Sequence, residues 1–75
     1  QAQIQLLTDQ LQQHEQWLQR LHGDLSKFDT IPPADDAAFS DYLVLLGAIS
    51  REKSMCDWLQ TCIELCETKT PFTMA

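Results

Sequence analysis

The sequence predicts an all-α protein, a two-helix antiparallel hairpin, on three observations. Apolar residues recur three and four apart through two long stretches, a Pro-Pro pair separates those stretches, and only two Gly and three Pro occur in 75 residues. The expected layout is a helix over about 2–28, a loop over 29–34 and a helix over about 35–68, followed by a short tail over 69–75. One helical-hairpin domain spans 1–75. A chain of this size buries little surface alone, so the hairpin is expected to complete a four-helix bundle by dimerisation or by binding a partner.

The first helix carries the cleaner heptad. Ile4, Leu7, Leu11, His14, Leu18, Leu21, Leu25 and Phe28 alternate three and four apart, and His14 is the single polar residue among them. Glutamines fill much of the remaining surface, and they favour helix while solvating it without charge. Leu6 and Trp17 are large apolar residues off the seam and are candidates for a second contact. Gly23 is a weak point, but Leu25 and Phe28 stay in phase, so the helix is read through to about Phe28.

Pro32 and Pro33 then remove two amide donors and push the residue before each toward extended backbone, which stops the helix. Asp35 and Asp36 suit the positive end of the next one. The second helix has two apolar flanks. Tyr42, Leu45, Ile49, Glu52, Cys56, Leu59, Ile63 and Cys66 form one seam, interrupted by Glu52. Val44, Ala48, Arg51, Met55, Trp58, Cys62 and Leu65 form another, displaced by roughly 110° around the helix.

Closing the hairpin over a short loop pairs positions whose numbers sum to about 67, which sets Leu25 near Tyr42, Leu18 near Ile49 and Ile4 near Ile63. Phe28 falls beside Phe39. His14 falls beside Glu52 or Lys53, so the polar residue of each seam enters the same layer. That layer, His14 with Glu52 and Lys53, is expected to fix register and partner choice rather than to catalyse, because a hairpin with one short loop has no concave pocket with oriented donors.

The first helix presents one seam, whereas the second presents an apolar arc of about 160°. Left in water, Val44, Met55, Trp58 and Leu65 would each forgo roughly 1.5–3 kcal/mol of burial, a large sum beside the stability of so small a domain. The expected function is therefore a non-enzymatic protein–protein interaction module, such as a small adaptor, co-chaperone or assembly subunit. Its predicted partner-binding residues are Val44, Ala48, Met55, Trp58, Cys62 and Leu65, with Leu6 and Trp17 in support. The partner is another copy of the chain or an amphipathic helix of a different protein.

Two rival readings stand beside this one. Cys56, Cys62 and Cys66 would make a thiol or metal sensor, but they share one helix, lack the paired spacing of structural zinc sites, and neither histidine reaches Cys62 and Cys66 in this register, so neither metal nor cofactor is expected. Alternatively the chain is a segment of a larger bundle, and the second flank is core. Eleven acidic against five scattered basic residues give a net charge of −6, which disfavours nucleic acid. Three cysteines that cannot pair within a helix fit a reduced, cytoplasmic setting, and no apolar run approaches the ~20 residues of a membrane span.

Overall fold

The computed structural model describes residues 2–69, with helix α1 at Ala2–Leu25 and helix α2 at Ala37–Lys69. The two pack antiparallel as a hairpin. The radius of gyration is 17.5 Å and the extents are 60 × 17 × 14 Å. A globular chain of this length would have a radius of about 11 Å. The molecule is thus a rod two helices wide, and its core is a single seam. The C-terminal tail expected over 69–75 lies, apart from Lys69, outside the described residues.

The helix ends explain the boundaries. α1 stops three residues before the expected Phe28 because its last carbonyls are taken by tighter turns: Lys27 N–H donates to Asp24 O at 3.2 Å and Phe28 N–H to Leu25 O at 3.1 Å. The Ser26 hydroxyl also donates to Gly23 O at 2.7 Å. Phe28 still reaches the seam, now through the turn, and meets Tyr42 edge-on at 5.3 Å between centroids and 87° between planes. A turn then closes from Asp36 N–H to Pro33 O at 3.0 Å. Asp36 caps α2, its carboxylate accepting the Ala38 N–H at 2.9 Å. The first turn of α2 itself holds no acidic residue, so the aspartates act from just outside it.

Leu11, Leu21, Ile49, Leu59 and Ile63 are the buried core, and Leu59 has no exposed surface. Leu7 and Cys56 pack against the cluster of Leu11, Leu59 and Ile63. All of these are seam positions of one helix or the other, so the heptad reading of each helix places the core correctly. Gly47 and Ala48 are two successive small residues in α2, but α1 makes no close crossing at Gly47: a Cβ added there would meet nothing nearer than the Arg51 side chain at 3.4 Å. Among the described residues no helix is long and apolar enough to cross a membrane.

Candidate interaction site

Helix α2 cannot bury both flanks against one neighbour, and the structure shows which flank is left. Val44 is 69% exposed, Trp58 59%, Leu65 52% and Met55 39%. Ala48 and Cys62, the small members of the same flank, are half-buried. Leu43 and Leu46 are exposed as well and widen the apolar surface near the loop. The sequence signalled them only weakly, through an apolar residue at every position from 42 to 46, which gives no angular preference. Ile31, in the loop, is a further exposed apolar residue.

Two depressions open on this surface. Arg51, Met55 and Trp58, with Ser50 and Ser54, line a shallow groove of about 440 Å³ midway along α2. Val44 and Ala48 line a second cavity of about 310 Å³ at the loop end, shared with α1. The other predicted contacts lie elsewhere: Leu6 and Trp17, both exposed, are eleven residues apart on α1 and so share one face of that helix.

The polar layer sits inside the seam. The His14 Nδ1–H donates to the Glu52 carboxylate at 2.6 Å, with the two side chains 33% and 18% exposed. Lys53 is exposed and forms no ion pair among the described residues. One turn on from Glu52, burial pushes the Cys56 thiol above its ordinary range, and the carboxylates of Glu15, Glu52 and Asp57 push it the same way. Cys56 is therefore a poor nucleophile at neutral pH.

Cys56, Cys62 and Cys66 are each half-buried. Among the described residues no three His, Cys, Asp or Glu side chains are grouped to hold a metal ion. The arrangement offers an apolar contact surface on α2 and a hydrogen-bonded polar layer between the helices.

No curated protein and no solved structure matches the sequence. A family model, virulence activator alpha C-term, matches residues 1–67, nearly the whole hairpin, and the chain belongs to that family.

Proposed function

We propose that the chain is a non-enzymatic association module that joins a second copy of itself through the exposed flank of α2. The observation that supports this reading is the order of side-chain sizes along that flank. Val44, Ala48, Arg51, Met55, Trp58, Cys62 and Leu65 read nearly the same in both directions about Met55. An antiparallel copy centred there sets Val44 beside Leu65 and Ala48 beside Cys62, with Arg51 over the face of Trp58 as a cation–π pair. The groove holding Arg51, Met55 and Trp58 lies at the centre of that palindrome.

The family name describes the C-terminal part of an activator, and an association segment is a role that suits such a part. The same flank would serve a partner helix of another protein, with the polar layer of His14 and Glu52 holding the hairpin in register. A thiol sensor is disfavoured by the upward push on Cys56. Three cysteines on one helix suit the cytoplasm, and a net charge of −6 suits a protein partner better than nucleic acid.

Trp58→Ser tests the reading. Trp58 is largely exposed in the hairpin, so the substitution spares the seam while removing about 2 kcal/mol of contact per copy, or about 4 kcal/mol per dimer. Sedimentation equilibrium is expected to show association weakened about a thousandfold, shifting the chain toward monomer with helicity retained. An unchanged dissociation constant would place the interface elsewhere.

A further inference from the structure

Leu6 and Trp17, the two large apolar side chains that α1 leaves exposed, line neither depression, yet the loop-end one shows which way they face. Asp24 stands seven residues beyond Trp17 and eighteen beyond Leu6, so the three lie within about 20° of one another around α1. Asp24 lines the loop-end depression together with Val44 and Ala48 of α2. The stripe of α1 that holds Leu6 and Trp17 therefore faces the same way as the exposed flank of α2.

The spacing of the pair along α1 matches the palindrome of α2. Glu52 lies three residues before Met55 and touches His14, so on the antiparallel α1 the level of Met55 falls three residues before His14, at Leu11. Cys56, next to Met55, accordingly packs into the cluster that holds Leu11. The midpoint of Leu6 and Trp17 lies between residues 11 and 12, within about 1.5 Å of that level along the helix. A two-fold axis that crosses α2 at Met55 thus also crosses α1 midway between Leu6 and Trp17, and it sets each of them opposite the other in a second copy. The same axis sets Gln10 opposite Gln13, and Gln3 opposite Arg20. None of these positions, and none in the α2 flank, is acidic in a chain with eleven acidic residues, so two copies of net charge −6 meet here without opposed carboxylates.

We infer that α1 forms the second half of the interface, packing antiparallel on α1 of the other copy with Leu6 of each chain against the Trp17 ring of its partner. This rests on the self-association reading and specifies it: the two hairpins stack as one antiparallel four-helix bundle, α1 over α1 and α2 over α2. Between the two Leu6–Trp17 contacts the Gln10 and Gln13 amides bond to each other across the axis. The helices have independent sequences, and the agreement of their two centres is the observation that carries the inference.

The test uses two variants of the 75-residue chain, Leu6→Glu and Trp17→Lys, measured separately and as an equimolar mixture by sedimentation equilibrium, with circular dichroism as the check on folding. Both sites are exposed in the hairpin, so the substitutions spare the seam. In a dimer of either variant with itself both symmetric contacts are spoiled, and association should weaken at least about tenfold. In the mixed dimer one contact is the native Leu6–Trp17 pair and the other joins the introduced carboxylate to the introduced ammonium. The mixture should therefore associate at least about fivefold more tightly than either variant alone. Unchanged association of the single variants would overturn the inference. So would a mixture that associates no better than its components, which is the result expected if α1 lay over α2 of the other copy. A dimer that Trp58→Ser dissociates but Leu6→Glu and Trp17→Lys leave intact would keep self-association and refute this contact, whereas a monomeric parent chain would refute both.

Discussion

The His14–Glu52 contact allows a quantitative test of the polar layer. His14→Leu leaves a carboxylate that is only 18% exposed without its donor, and Glu52→Leu leaves the imidazole without its acceptor. A hydrogen bond to a charged group is worth about 1.5–3 kcal/mol, and the partial exposure of both side chains lowers this to about 1–2 kcal/mol. Each single variant offsets its loss with about 1 kcal/mol of added apolar burial, so each should lie within about 1 kcal/mol of the parent chain. The double variant, in which the seam is apolar throughout and the hydrogen bond is lost only once, should match or exceed the parent by up to about 1 kcal/mol. The coupling energy from the cycle is therefore expected at about 1–2 kcal/mol. Urea unfolding followed by far-UV circular dichroism at pH 7 and one fixed protomer concentration measures all four chains. A coupling below about 0.3 kcal/mol would refute the claim that the two residues act as one layer.

Three further outcomes follow from burial and local chemistry. Leu59→Ala empties the one fully buried side chain, against Leu11 and Ile63, and should cost about 3 kcal/mol, lowering the melting midpoint by about 15 °C; a loss under about 1 kcal/mol would contradict the assigned core. Gly23→Ala places a methyl group where nothing lies within 4 Å, so it should add about 0.5–1 kcal/mol in a thermal melt, and a destabilised variant would mean that Gly23 is needed to end α1. The alkylation rate of Cys56, measured in a chain with Cys62 and Cys66 replaced by alanine, should rise with pH through a midpoint above the ordinary 9.0; a midpoint at or below that value would contradict the described surroundings. Because the folded state holds this proton more tightly, the Cys56 contribution to stability is present below pH 9 and is lost as pH climbs above it.

The hairpin was legible because its signals are strong and independent. Two long periodic stretches and a Pro-Pro break gave the helices, and the meeting of His14 with Glu52 rested on matching the one polar position of each seam. The end of α1 was not legible at residue level. Leu25 and Phe28 keep helical phase, so periodicity could not reveal that Phe28 reaches Tyr42 from a turn stabilised by Ser26 and Gly23.

The surplus flank of α2 was visible in its spacing, whereas the exposure of Leu43 and Leu46 was hidden in a run that is apolar on all sides. The loop-end cavity depends on where α1 leaves its helical path and on side chains from both helices. No local pattern encodes that combination.

The most direct test of the account is the absolute mass of the purified chain, measured by light scattering over a concentration series with circular dichroism as a check on folding. Twice the 8.6 kDa chain mass at micromolar concentration is the expected result. A fully helical species that stays at 8.6 kDa across the series would contradict it, since Val44, Met55, Trp58 and Leu65 would then remain in water without a second copy to cover them.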